Sequence, residues 1–187
     1  IDTGRDRIGT YYNPQRSTEI NMSNPTVNQA KVARATRAIQ NLCRDMNGAY
    51  LEKENEVAIL ANALIAEEPV VFLGEAGIGK SAIARSFAEA IEYTQDELGF
   101  WQYLFNKFTT PPEIFGTVSV KELRENDRYM VNPAGKMPQA RVAFVDEIFK
   151  CNSATLNSML TLLNEKEFDD GSGVRKKVPL ELCIGAS

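Results

Sequence analysis

Glycine, lysine and serine recur at fixed spacing in residues 74 to 81, which read Gly74, Glu75, Ala76, Gly77, Ile78, Gly79, Lys80 and Ser81. An apolar run, residues 70 to 73, precedes this segment, and apolar residues at helical spacing follow it. Glycines in such a strand-to-helix turn let backbone N–H groups close around phosphate oxygens at the positive end of the helix. The pattern predicts a phosphate-binding loop, with Lys80 on the β- and γ-phosphates of a nucleotide and the Ser81 hydroxyl on Mg²⁺. We expect Glu75 to point to solvent, away from the phosphates.

Two adjacent carboxylates, Asp146 and Glu147, follow a second apolar run, residues 142 to 145. Ligands of open α/β sheets bind at the carboxyl ends of the strands, where this pair would lie. Asp-Glu after a strand is by itself more often a solvated helix start, but downstream of a phosphate loop it predicts a second half of the site. Asp146 would hold Mg²⁺, and Glu147 would polarise a water for attack on the γ-phosphate. A small-molecule kinase needs no such glutamate, so Glu147 favours hydrolysis.

The composition limits the other classes of function. The chain has 187 residues, 43% of them apolar, and a net charge of −4, which suits one globular domain and gives no broad basic surface for nucleic acid. It contains no histidine, which excludes serine–histidine and cysteine–histidine nucleophiles and histidine-bound zinc. Its three cysteines, Cys43, Cys151 and Cys183, show no paired spacing. Together with the lack of a membrane-spanning run or a signal-peptide pattern, this predicts a cytoplasmic protein.

Strands and helices alternate along the chain, which predicts a three-layer α/β fold with a parallel sheet. Residues 1 to 26 are polar and aperiodic, so we expect a flexible lead-in before a nucleotide-binding core over residues 27 to 187. Helices are predicted over residues 35–46, 57–65 and 83–91, and a fourth helix should turn Leu156, Met159, Leu160 and Leu163 inward. Strands are predicted over residues 70–73, 101–109, 142–145 and 180–187, with an irregular excursion or hairpin at residues 116–140 and a turn at 169–173.

With both motifs placed, the chain resembles an AAA+ ATPase, and more closely the RavA-type branch of the MoxR family. The likeness covers residues 34 to 187. It is carried by the phosphate loop, by residues 103 to 120 with their Thr-Pro-Pro-Glu-Ile-Phe-Gly run, and by residues 142 to 168, which are similar to the family's Walker B strand and following helix. The resemblance implies ATP and Mg²⁺ as cofactors. It places Gly74 to Ala82 around the phosphates, Ser81 and Asp146 on the metal, and Glu147 and Lys80 in catalysis.

The resemblance carries further expectations. Tyr50 and Leu51 would border the adenine. Asn106 would lie on the strand where some AAA+ proteins carry a polar residue that restrains the catalytic glutamate. The parent protein would form a ring, a hexamer by resemblance, act as a chaperone-like remodeller, and work with a partner bearing a von Willebrand factor A domain. Residues 116 to 140 would contact the client or partner. The sequence stops before the family's sensor asparagine, arginine finger and lid, so we expect a fragment that binds nucleotide and hydrolyses it slowly.

Two alternatives remain open at this stage. One is a nucleotide-binding module that does not hydrolyse ATP, in which the bound nucleotide only stabilises an assembly surface. The other is a nucleic-acid motor such as a helicase loader, to which the same two motifs would belong. The acidic composition disfavours the second alternative, and the presence of Glu147 disfavours the first.

Overall fold

A computed structural model describes residues 29–75, 77, 79–93 and 98–187. The expected lead-in, residues 1 to 26, lies outside these described residues. The α-helices of the described part are α1 (Gln29–Ala49), α2 (Glu54–Ala66), α3 (Lys80–Glu89), α4 (Pro111–Phe115), α5 (Val120–Asn126) and α6 (Ser153–Glu165). Its strands are β1 (Val70–Phe72), β2 (Leu98–Leu104), β3 (Thr117–Val118), β4 (Val131–Asn132), β5 (Ala140–Asp146), β6 (Glu167–Asp169), β7 (Arg175–Lys177) and β8 (Leu182–Ala186).

A parallel sheet of four strands forms the centre of the fold, in the order β1-β8-β5-β2. In its middle, Val142 pairs with Leu182 and Val145 with Gly185, while at one end of β2 Leu104 pairs with Asp146. The strands are joined through helices, as parallel strands require. The predicted parallel α/β fold is thus confirmed. The two short hairpins, β3–β4 and β6–β7, are antiparallel and lie apart from this sheet.

Alternate residues of the central strands face opposite cores, because side chains alternate across a sheet. Val142 and Phe144 pack with the apolar faces of α1, α2 and α3. Ala143 and Val145 pack on the other side, with α4 and α6. Since neither face of β5 meets water, the uninterrupted apolar run 142–145 marks a strand covered on both sides, as the sequence predicts.

The second strand and the fourth helix differ in detail from the prediction. β2 ends at Leu104, not at Thr109, because Phe105 to Thr110 form a turn in which the Asn106 N–H donates to the Thr109 hydroxyl. Asn106 therefore lies past the strand. In α6, Leu162 is 2% exposed and Leu160 is 45% exposed, so Leu160 does not face inward as predicted. The buried stripe of α6 is instead Thr155, Met159, Leu162 and Leu163.

Residues 116 to 140 contain the expected hairpin, with α5 between its two strands. Gly116 begins the segment at a φ of 117°, and its backbone passes close to the carbonyl of Asn132. Helix α5 has no buried residue, and Val120 and Leu123 on it are 59% and 47% exposed. This segment therefore presents apolar side chains outward. None of the helices in the described part is long and apolar enough to cross a membrane.

Candidate nucleotide site

The glycine-rich loop turns sharply between β1 and α3. Gly77 and Gly79 have φ values of 88° and 85°, in the left-handed region that glycine adopts without strain. Gly79 is the residue before α3, so the first backbone N–H groups of this helix are free to bind an anion. Glu75 is exposed. Ala76 and Ile78 lie outside the described residues.

The end of β8 fixes the position of this loop. The N–H of Ser187 donates to the carbonyl of Phe72 at 3.1 Å, and the N–H of Gly74 donates to the carbonyl of Ser187 at 3.1 Å. These two hydrogen bonds extend the β1–β8 pairing up to the first glycine. The loop therefore starts from a backbone position that the sheet defines.

Lys80 lies over the loop that precedes it. Its Nζ donates to the carbonyl oxygens of Gly74, of Glu75 at 3.1 Å, and of Ser187 at 3.2 Å. A lysine ammonium has three donors, so these acceptors use its full hydrogen-bonding capacity. Phosphate oxygens placed in the loop would compete with the carbonyls for the same ammonium group.

Ser81 and Asp146 meet across the site, although they are 65 residues apart in sequence. The Ser81 hydroxyl, in the first turn of α3, donates to Oδ2 of Asp146 at 3.1 Å, and Asp146 is the last residue of β5. A hydroxyl and a carboxylate are the hard oxygen ligands that Mg²⁺ prefers, and the ion usually takes one or two protein ligands and fills its shell with phosphate and water. This pair fits such an ion. No cluster of three or more acidic, cysteine or histidine residues suited to a metal occurs in the described part of the chain.

Glu147 follows Asp146 in an unusual backbone conformation. Its φ is 55°, in the left-handed region, which for a residue other than glycine costs about 1–3 kcal/mol. Its N–H donates to Oδ1 of Asp146 at 3.0 Å, and its carboxylate Oε1 lies 3.1 Å from Nζ of Lys150. The side chain of Glu147 is 33% exposed. Glu147 lines the same cleft as the glycine loop.

That cleft has a volume of about 470 Å³. The residues that line it are Gly74, Gly77, Gly79, Lys80, Ser81, Ala82, Asp146, Glu147 and Ser187. The structure thus brings both sequence-predicted motifs to one cavity. The arrangement combines free helix N–H groups, a lysine, a hydroxyl–carboxylate pair and a second carboxylate, which together suit phosphoryl transfer to water.

Three other predicted positions lie outside this cleft. The Tyr50 hydroxyl lies 2.7 Å from Oγ of Ser86 and donates to the carbonyl of Ala82 at 3.2 Å, so it contacts α3. Leu51 is 90% exposed. The Asn106 side chain accepts a hydrogen bond from the N–H of Phe108 at 2.8 Å.

Residues 37–187 match a family model described as the MoxR domain in the MoxR-vWA-beta-propeller ternary systems. The chain belongs to the MoxR family of AAA+ ATPases. Two uncharacterized proteins of Methanocaldococcus jannaschii are each 37% identical to this MoxR chain over 149 residues, which is 80% of the chain and 38% of each relative. A structural protein of the Acidianus two-tailed virus is 28% identical over 116 residues, 62% of the chain and 18% of the viral protein.

Among solved structures, the MoxR chain is similar to a candidate ATPase from Cytophaga hutchinsonii. The TM-score is 0.62 at 14% identity, over 85% of this chain and 47% of that protein, so this likeness shows the fold alone. The chain spans less than half the length of this structure and of the M. jannaschii relatives. The closer likeness to the RavA-type branch of the MoxR family stays a prediction.

The sequence reasoning missed two contacts of the site. Lys150 is three residues after Glu147, and a basic residue at that spacing from a carboxylate is a signal for an ion pair across one turn. The Ser187 contacts with Gly74 and Lys80 use its backbone carbonyl, so no side-chain pattern could have indicated them.

Proposed function

We propose that this MoxR chain binds ATP together with Mg²⁺ and hydrolyses it, and that its parent protein uses the turnover to remodel protein complexes. The observation that carries the proposal is the 3.1 Å contact between the Ser81 hydroxyl and the Asp146 carboxylate, beside the glycine loop and Glu147. Residues distant in sequence converge there on one cleft, in the residue types that phosphoryl transfer to water needs.

Each residue has a role in this proposal. The helix N–H groups after Gly79 and the ammonium of Lys80 bind and orient the phosphates, and Lys80 exchanges its carbonyl acceptors for phosphate oxygens as they enter. Ser81 and Asp146 would hold the metal, which when bound neutralises charge on the β- and γ-phosphates. Glu147 accepts a hydrogen bond from a water and orients it in line with the γ-phosphate.

Two substitutions separate binding from hydrolysis. Lys80→Ala removes the ammonium that contacts the phosphates and is expected to abolish detectable nucleotide binding. Glu147→Gln keeps the shape of the side chain but removes the carboxylate, so it is expected to preserve binding and lower turnover by about 10²–10⁴-fold. Lys177→Ala, at an exposed lysine of β7, is the matched control and should leave both quantities unchanged.

The assays are fluorescent-nucleotide binding and steady-state phosphate release. Equal loss of binding in the Lys80 and Glu147 variants would contradict the role given to Glu147. If Glu147→Gln releases phosphate at the wild-type rate, Glu147 is not the catalytic base. If the wild-type protein binds ATP but releases no phosphate above background, the protein is instead a nucleotide-binding module whose nucleotide stabilises an assembly surface.

For the parent protein we propose a ring, by family resemblance a hexamer, and a partner with a von Willebrand factor A domain. The matched family model describes MoxR domains in ternary systems with vWA and β-propeller proteins, and this supports such a partner. We place client or partner contacts on residues 116–140, where Val120, Leu123 and Tyr129 are 59%, 47% and 66% exposed. A groove of about 560 Å³ lies beside this segment, against α4, α6 and the β6–β7 hairpin.

Co-purification with a tagged protein that carries a von Willebrand factor A domain tests the partner proposal. A Val120→Ser/Leu123→Ser double variant should lose the complex and keep ATP binding, because its changes lie on α5 and away from the cleft. Retention of the complex at wild-type yield would place the interface elsewhere.

A further inference from the structure

Lys150 pairs with Glu147 across a single turn of backbone. Its Nζ lies 3.1 Å from Oε1 of Glu147, and its N–H donates to the Glu147 carbonyl at 2.8 Å. The turn between them, Ile148–Lys150, is a 3₁₀ turn in which Ile148 is 7% exposed and packs in the core. The backbones of Glu147 and Lys150 are therefore held relative to each other by an anchored turn.

The backbone of Glu147 is fixed on its other side as well. Its N–H is bound by the Asp146 carboxylate at 3.0 Å, and its left-handed φ of 55° is held between that contact and the turn. What remains free is the side chain, which has three rotatable bonds and would otherwise sample many rotamers. The ion pair with Lys150 restricts that freedom.

The two carboxylate oxygens of Glu147 have different surroundings. Oε1 has the ammonium of Lys150 as its partner. None of the residues that the structure describes donates a hydrogen bond to Oε2, and Glu147 lines the cleft together with Lys80, Ser81 and Asp146. One oxygen is thus held and the other is available to a water in the cleft.

We propose that Lys150 is a positioning residue, which holds one oxygen of Glu147 so that the other faces the attacking water. The proposal rests on the hydrolytic function proposed above and adds a residue to it. The lysine does not act through fold stability, because its side chain is 64% exposed and exposed ion pairs contribute little to folding. Its contribution is orientation, since a small misplacement of a reacting group lowers the rate of the chemical step strongly.

The test compares three variants of the full-length protein. Lys150→Met keeps the length of the side chain and removes its charge, Lys150→Arg keeps the charge, and Lys177→Met removes an exposed lysine on β7, outside the cleft. We expect Lys150→Met to lower kcat by about tenfold. Its KM for ATP and its Kd for fluorescent nucleotide should stay within about twofold of wild type. Lys150→Arg should restore most of kcat, and Lys177→Met should match wild type.

A double variant tests whether Lys150→Met lowers kcat by way of Glu147. In a Glu147→Gln background, Lys150→Met should cause no further loss, because the group it positions is already missing. An undiminished kcat in Lys150→Met, a rise in KM that accounts for the loss, or a Lys150→Arg variant as slow as Lys150→Met would each overturn the proposal. Wild-type protein that binds ATP without turnover would instead refute the proposed hydrolysis, and the positioning role with it.

Discussion

Replacing Gly116 with alanine is expected to destabilise the protein strongly, because both the conformation of this glycine and the space around it exclude a side chain. Its φ of 117° and ψ of 162° lie in a region that is essentially restricted to glycine. An alanine Cβ would lie 2.1 Å from the carbonyl oxygen of Asn132 and 3.0 Å from Cα of Pro133. These are backbone atoms of the β4 side of the hairpin, so they cannot rotate away as a side chain could.

The expected loss of stability is the sum of a conformational cost and a steric cost. The unfavourable φ and ψ cost about 1–3 kcal/mol. Moving the β4 backbone by roughly 1 Å to relieve the overlap costs about 1–3 kcal/mol more, as overpacking does in a close-packed interior. A total near 4 kcal/mol would lower Tm by about 8–16 °C in a chain of this size.

Gly135→Ala is the matched control, since Gly135 also has a positive φ, of 69°, but an added Cβ would meet nothing within 4 Å. Its conformational cost alone is about 1–2 kcal/mol. Urea unfolding followed by circular dichroism, with a thermal scan, measures both variants. Equal losses of stability in Gly116→Ala and Gly135→Ala, or a loss below about 1 kcal/mol for Gly116→Ala, would refute the steric argument.

Three further predictions concern the core, the β6–β7 turn and α3. Met159→Ala, at a fully buried position against the sheet, should lower the free energy of unfolding by about 2–5 kcal/mol in urea titrations, and a loss under about 1 kcal/mol would contradict this packing. The Lys176 ammonium beside Asp170 lowers the pKa of that carboxyl from 3.8 to about 2. The stability this pair provides is therefore complete above about pH 4 and lost as the pH falls towards 2. Asp170→Asn should flatten that part of the stability–pH curve, and an unchanged slope would assign the acid sensitivity to other groups. Tyr50→Phe, which removes the contact with Ser86, should cost about 0.5–1.5 kcal/mol of stability without changing nucleotide affinity. A selective loss of affinity would instead support the predicted contact of Tyr50 with the adenine.

The sheet and the two halves of the site could be predicted from local patterns. The apolar run 142–145 has no polar residue that could face water, and the carboxylates follow it directly. The glycine loop could be predicted because its left-handed backbone at two positions favours glycine, and the sequence has glycine at both, Gly77 and Gly79. In both cases residues that are adjacent in sequence determine the local backbone or its burial.

The prediction placed the end of β2 too late in the sequence, and the reason for this error is different. Aromatic and polar residues alternate up to Thr109, which is the pattern of a strand, yet Thr110, Pro111 and Glu113 begin α4. The Glu113 carboxylate accepts from both the N–H and the hydroxyl of Thr110, at 2.9 and 2.7 Å. A Thr-Pro-Pro-Glu run is a signal for a helix start, and it was available in the sequence.

The outward position of Leu160 could not be predicted from the local sequence. Residues 160, 162 and 163 are all leucine and have the same hydrophobicity and helix propensity, so periodicity alone allows more than one choice of buried stripe. The face is decided by the sheet and by α4, against which Met159 and Leu163 pack. The ion pair of Lys150 has a signal in the sequence, the three-residue spacing from Glu147, but its formation depends on the 3₁₀ turn at Ile148–Lys150, which tertiary packing of Ile148 holds in place.

The strand order also bears on the sequence of events during synthesis on the ribosome. β8 lies between β1 and β5, and among the described strands β1 pairs with β8 alone. The growing chain can pair β2 with β5 early, but β1 has no place in the sheet until residues 182–186 have left the exit tunnel. Contacts this distant in sequence form slowly. The glycine loop, which begins at the end of β1, is therefore among the last parts of the nucleotide site to be assembled, although it is the first part to be translated.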